Sequence, residues 1–142
     1  MTAENKSLKY IRWTSIIFFI LSLTQKAYCT STHCSDSIMV FLLGWAAVFS
    51  TGAGICWFAN PLLFISWGLL KKNLKVSAIL AALATLLSLL FLLFDSITDN
   101  EGGIPHQIIS YRAGYWLWLS SSLCILIGTF ILRTGHDTKT TA

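Results

Sequence analysis

The chain has 142 residues, 55% of them hydrophobic and only 11% charged, where soluble domains carry about 25% charged residues; an ordinary water-soluble domain is excluded. The formal charge of +4 comes from ten basic residues scattered between apolar runs, with no basic stripe interleaved with aromatics, so nucleic acid is not an expected partner. The expectation is one compact, all-α integral membrane protein whose immediate partner is the lipid bilayer.

Taken in order, residues 1–9 read as a short tail, residues 10–132 as a single transmembrane domain, and residues 133–142 as a second tail. Four apolar blocks fill the domain, over 10–27, 37–70, 76–94 and 108–132, and predict a four-helix bundle. The first follows Lys6, Lys9 and Arg12 and resembles a secretory signal sequence. No small-x-small pattern stands near Ala27-Tyr28-Cys29, so a retained anchor is expected.

The second block, Ser37 to Leu70, has about 34 residues without a Lys, Arg, Asp or Glu. As one straight helix it would reach about 51 Å, and fitting that into a hydrocarbon core of about 30 Å demands a tilt of about 54°, beyond the observed range. The run must break. Thr51-Gly52-Ala53-Gly54 and Asn60-Pro61 are the two places for it. Proline lacks an amide hydrogen and pushes the residue before it away from helical angles. Gly52, Gly54, Asn60 and Pro61 are therefore the candidate polar break within the membrane, either a discontinuous helix lining a site or a kink sealed by packing. Trp57, Phe58, Phe64 and Trp67 follow as an aromatic side, with Trp67 next to Lys71-Lys72 as an interfacial anchor.

The third block, Val76 to Phe94, has no charge and no breaker. The fourth is expected to begin as helix at Pro105, after Gly102-Gly103, and to run through Leu132. Small residues at helical spacing (Ala78, Ala82, Thr85 and Ser88 in the third block, Gly114, Ser121 and Gly128 in the fourth) form the candidate helix-packing face. That face serves the bundle itself or a homo-oligomer, and Ser120-Ser121-Ser122 would line a narrow polar path if several copies assembled.

Orientation follows from the basic residues. Four crossings gather Lys6, Lys9, Arg12, Lys71, Lys72, Lys75, Arg133 and Lys139 on one side and leave Lys26 and Arg112 on the other. That asymmetry makes both termini cytoplasmic. A five-crossing alternative, with a turn at Thr51-Gly54, inverts the bias and fits less well.

Cys29 and Cys34 share the first outer loop and are expected to form a disulfide in an oxidising compartment. His33 and His106 could join them as zinc ligands only at spacings that match no standard site, so no metal and no cofactor are expected. Asp95, Asp99, Glu101 and Arg112 bracket the second outer loop as a surface charge cluster. No charged residue lies deep in an assigned span, which argues against ion-coupled transport. No reaction can be read from these residues. Three classes of function remain: a non-enzymatic accessory or partner-binding membrane module, an oligomeric pore or membrane-permeabilising effector, and a membrane thiol-redox protein using Cys29 and Cys34.

Overall fold

A computed structural model describes residues 3–49, 51–98 and 104–140, with the side chains of the first three and last six of these left out. The fold is mostly helical and carries a small sheet at one end. Helix α1 spans Ala3–Leu23; strands β1 (Lys26–Thr30) and β2 (Cys34–Asp36) form a hairpin; helix α2 covers Ser37–Ala47. A 3₁₀ segment, Gly52–Phe58, runs directly into α3 (Ala59–Leu69). Helix α4 (Leu74–Leu90) ends in a 3₁₀ turn, Phe91–Leu93, and is followed by β3 (Ser96–Thr98), β4 (Pro105–Tyr111) and α5 (Ala113–Thr140).

Among the described residues, three helical runs are long and apolar enough to cross a membrane: Gly52–Leu69, Leu74–Leu93 and Ala113–Thr134. The expectation of four such spans is thus met by three. Helix α1 has the length, but Lys6, Lys9 and Arg12 occupy its first half. It lies antiparallel along α5, with Ile11 against Gly128 and Ser15 against Ser121. Helix α5 packs on α4, and α4 pairs with α3 through the tight turn at 70–73, where the Asn73 side chain accepts from Val76 N and caps α4.

The all-α expectation is corrected by the sheet, which has the order β2-β1-β4-β3 with antiparallel pairing throughout. Its central pairing joins Tyr28 to Tyr111 and Cys29 to Ser110, residues more than 80 positions apart, so no local pattern announces it. The fourth block is corrected with it. Pro105–Tyr111 is a strand, not the first two turns of a helix, and α5 starts at Ala113. Pro105 suits a helix N-terminus, but it also tolerates the first position of a strand, and tertiary pairing decided between the two. The first block shortens in the same way: α1 stops at Leu23 and Lys26 already belongs to β1. Asp99, Glu101 and Gly102-Gly103 lie outside the described residues.

The break in the second block lies beside the first of the two expected places, Thr51-Gly54, where the 3₁₀ segment begins. It falls between Ala47 and Gly52, where α2 ends and the chain doubles back. Both ends of α2 sit at the sheet end of the molecule. Ser37 touches Gly114 and follows β2 directly, while Ala47 lies against the backbone of Gly54, whose neighbour Ala53 packs in one cluster with Tyr28, Phe91 and Ile97. Asn60-Pro61 makes no second break. Pro61 stands in the first turn of α3; it has no amide hydrogen to offer the Trp57 carbonyl, four residues back, and Asn60 Nδ2 donates to that carbonyl at 3.0 Å instead.

Two apolar clusters hold the fold. One sits beneath the sheet and includes Tyr28, Ala53, Cys56, Phe91, Ile97, Tyr115 and Leu119. The other lies farther along the helices around Leu8, Phe19, Leu63, Ala81, Ala84 and Ile125. Basic residues mark the end away from the sheet: Lys71 and Lys72 in the α3–α4 turn, Lys75 just after it, and Arg133 late in α5. At the sheet end Lys26 pairs with Asp36 at 2.7 Å, an exposed ion pair contributing at most about 1 kcal/mol.

Candidate functional site

Beneath the sheet lies a partly open cavity of about 90 Å³. Its walls come from the last turns of α1 (Phe19, Ser22), the first strand (Tyr28), α2 (Ser37, Val40, Phe41, Gly44), the 3₁₀ segment and α3 (Gly54, Trp57, Asn60), and the start of α5 (Tyr115, Trp118). Glycine shapes it at two of its corners. A Cβ on Gly54 would collide with the Ala47 carbonyl, and one on Gly114 with Ser37 Oγ and, at 2.6 Å, with the Lys26 carbonyl oxygen. Close backbone approach therefore folds α2 onto the following segment and seats β1 on α5.

Indole and phenol groups frame the cavity by hydrogen bonds across elements. Trp57 Nε1 donates to the Phe41 carbonyl at 2.8 Å, tying the 3₁₀ segment to α2. Trp118 Nε1 donates to Asn60 Oδ1 at 2.8 Å, and Asn60 Nδ2 donates to the Trp57 carbonyl at 3.0 Å. Asn60 thus links α5 to α3 and satisfies a carbonyl at the point where the 3₁₀ segment becomes α-helix. Tyr115 Oη donates to the Ser88 carbonyl at 2.8 Å, and Tyr111 Oη to the Phe91 carbonyl at 3.2 Å. Burial and then the Asp95 carboxylate push the Tyr111 phenol above its ordinary value, so it remains a neutral donor at physiological pH.

Of the candidate break residues, Gly54 and Asn60 line this cavity, whereas Gly52 and Pro61 do not. The Gly52 position faces the Phe94 ring. Of the candidate packing face in α4, Thr85 and Ser88 are buried and Ala78 and Ala82 are not: Ala78 is half-buried and Ala82 faces outward, while Ser77, Ala81 and Ala84 are buried. In α5, Gly114, Ser121 and Gly128 are all buried inside the chain. Trp67 is half-buried: it packs against Phe19 and Phe64 and donates to Ser15 Oγ at 2.9 Å.

Two serine clasps escaped the sequence reading. Ser15 and Ser121 each donate to the other's carbonyl at 2.8 Å, joining α1 to α5; Ser66 and Ser77 do the same at 2.9 Å, joining α3 to α4. Of the four serines only Ser121 was among the candidate packing residues; the signal for the others was a hydroxyl within an apolar run, which must find a partner.

The disulfide Cys29–Cys34 closes the β1–β2 hairpin across register partners. Its sulfurs are bonded to each other and are not thiolate ligands for a metal. Arg112 Nε donates to Cys29 Sγ at 3.1 Å, carrying the tie from the hairpin to the start of α5. Cys56 and Cys124 are free thiols in apolar segments. Replacing both Cys29 and Cys34 by serine is expected to lower stability by about 2 kcal/mol, the entropy of so short a loop, and to lower the melting temperature while leaving the helical circular dichroism unchanged.

No protein-family model, no curated protein and no solved structure matches this chain.

Proposed function

We propose that the chain is a four-span membrane module, with both termini cytoplasmic, that acts as an accessory subunit by binding another membrane protein rather than by catalysis or conduction. The observation that carries this reading is the closure of the polar seams within one chain. The Ser15–Ser121 and Ser66–Ser77 clasps, Trp67 on Ser15, and Trp118 on Asn60 use the hydroxyls and amides that an oligomeric pore would turn toward a shared path. Ser122 donates to the Leu119 carbonyl of its own helix. The outward surface left to lipid or to a partner is apolar, most plainly along α2 at Ile38, Met39, Leu42 and Leu43, and just after it at Phe49.

The sheet supports the topology. Strands β1 and β2 precede Gly52–Leu69 and Leu74–Leu93, and β3 and β4 follow them, yet all four pair in one sheet on one side. An even number of crossings must separate the two hairpin halves. The two long helices supply two, so α2 is not a third, and the five-crossing alternative loses its support. Our reading adds α5, an apolar run long enough to cross, and α1, packed along it, as the two outer crossings, which makes four. Lys71, Lys72, Lys75 and Arg133 lie at the end away from the sheet, as a cytoplasmic face requires.

Purified protein in mild detergent is expected to run at the mass of one 15.8 kDa chain over a tenfold concentration range. Reconstituted liposomes are expected to hold an ion gradient as well as empty ones. Concentration-dependent oligomers with ion leakage would replace this reading by the pore. The thiol-redox reading draws on one observation, the Arg112 guanidinium against Cys29 Sγ, because a cation there favours a thiolate once the bond is opened. Trapping of a mixed disulfide by a Cys34→Ser variant would favour it.

A further inference from the structure

We infer that the outward stripe of α1 binds one anionic phospholipid, whose phosphate headgroup meets Lys6 and Lys9 and whose acyl chains lie along Ile17 and Ile20. The inference rests on the reading of α1 as an outer crossing, and it concerns a different face from the apolar side of α2. Lys6, Tyr10, Trp13, Ile17 and Ile20 recur every three or four residues, with Lys9 beside Tyr10. At about 100° per residue all six fall within an arc of about 100° on one side of the helix. All six are exposed. The opposite side is the one that packs: Ile11 meets Gly128 and Ser15 bonds to Ser121 on α5.

Along that stripe the chemistry changes in the order in which a phospholipid changes. The two lysines come first, then Tyr10 and Trp13, then the isoleucines. Trp13 stands about 6 Å deeper than Lys9 and about 10 Å deeper than Lys6. The headgroup layer on each side of the hydrocarbon is about 5–8 Å thick, and tryptophan concentrates at its lower edge. With the Trp13 indole there, the Lys9 ammonium lies at the level of the phosphates and the longer reach of Lys6 is closed by its flexible stem. Ile17 and Ile20 then lie about 6 and 10 Å deeper than Trp13, beside acyl chains.

The polar groups at the head of the stripe are unspent. Among the described residues, Lys6 and Lys9 have no ion-pair partner, and Tyr10 Oη and Trp13 Nε1 have no hydrogen bond. Trp57, Trp67 and Trp118, by contrast, each donate to a partner inside the chain. Lys6, Lys9, Tyr10 and Trp13 line one partly open surface pocket. A phosphate there accepts from two ammonium groups and a phenol, with the charge-assisted bonds the stronger. A phosphatidylcholine headgroup brings its own quaternary ammonium, which the lysines repel. Further charge stands close by: Gly128 meets Ile11 on the antiparallel α5, so Arg133, five residues on, reaches about the level of Lys6.

The test is native mass spectrometry of the full chain in mild detergent, offered equal amounts of phosphatidylglycerol and phosphatidylcholine with identical acyl chains. One phosphatidylglycerol is expected to be retained about fivefold or more over phosphatidylcholine, the effect of a single basic charge near an anionic headgroup. Lys6→Gln combined with Lys9→Gln is expected to abolish that preference without changing the melting temperature, since both side chains are exposed. Lys71→Gln combined with Lys72→Gln removes the same charge from the α3–α4 turn and is expected to leave the preference within about twofold. Excess glycerophosphate, which has the charge without the chains, is expected not to displace the lipid. Equal retention of the two lipids would overturn the site and leave the lysines to an acidic segment of a partner. Equal loss in the two double variants would overturn it as well, because the preference would then follow net charge, and displacement by glycerophosphate would reduce it to ion binding. The crossing of α1 is read separately, by an impermeant maleimide at Ser7→Cys and Ile109→Cys: reaction of both from one side of the membrane would overturn the crossing, whereas the lipid preference is measured in detergent.

Discussion

Gly54→Leu is expected to detach α2 from the rest of the molecule and to cost about 3 kcal/mol or more, one of the largest effects of any single substitution here. The position tolerates no side chain, because the first carbon already collides with the backbone carbonyl of Ala47. Backbone cannot rotate aside as a flexible side chain can. Either α2 lifts away, opening the cavity and breaking the Trp57 Nε1 bond to Phe41, or the 3₁₀ segment shifts. The matched control is Gly68→Ala. Nothing lies within 4 Å of a Cβ there, and alanine is the better helix former by about 1 kcal/mol, so this variant is expected to melt at or above the wild-type temperature. Thermal melting in detergent, followed through tryptophan fluorescence, reads both. Equal melting of the two variants would remove the claim that α2 returns onto Gly54.

A second pair of variants tests the helix seam. Ala81 has no exposure and sits in the core cluster, whereas Ala82, one residue on, faces outward. Ala81→Leu is expected to cost about 2–3 kcal/mol by overpacking, and Ala82→Leu to stay within about 0.5 kcal/mol of wild type because the added carbons meet lipid. Chemical denaturation in mixed micelles distinguishes them. The reverse order would restore the Ala78–Ala82 face as the packing surface and place α4 about one residue's rotation away from its position here.

The half-matched face of α4 shows how much was legible before the fold was known: Thr85 and Ser88 are buried as expected, Ala82 is not. The apolar lengths and the need for a break in Ser37–Leu70 follow from hydrophobic runs and bilayer thickness, which are local quantities; the number of helices does not, since four were expected and five form. Which face of α4 is buried does not, since Ala81, Ala82 and Ala84 are alike in size and only the positions of α3 and α5 choose between them. The sheet was hidden for a stronger reason. β2 and β3 have three residues each, and β1 and β4 meet only because the intervening helices return the chain to the same side. Pro105 then reads equally well as a helix start. Gly54 and Asn60 were singled out as parts of a break, and they do line the cavity. Ser37, whose buried Oγ has no partner among the described residues, stood in the sequence only as the first residue of the second block. Its lack of a partner is a property of the packing of α5 and β1 around it.

The central claim is that Ser37–Leu70 crosses the membrane once, with α2 remaining on the side of the sheet. Labelling of single cysteines by a membrane-impermeant maleimide, in a Cys56→Ser, Cys124→Ser background with the Cys29–Cys34 disulfide intact, tests it directly. Ile109→Cys, on an exposed position of β4, is expected to react in intact cells; Lys72→Cys and Ser7→Cys are expected to react only after permeabilisation. Reaction of Lys72→Cys in intact cells alongside Ile109→Cys would contradict the account, because β2 and the α3–α4 turn would then lie on one side of the membrane.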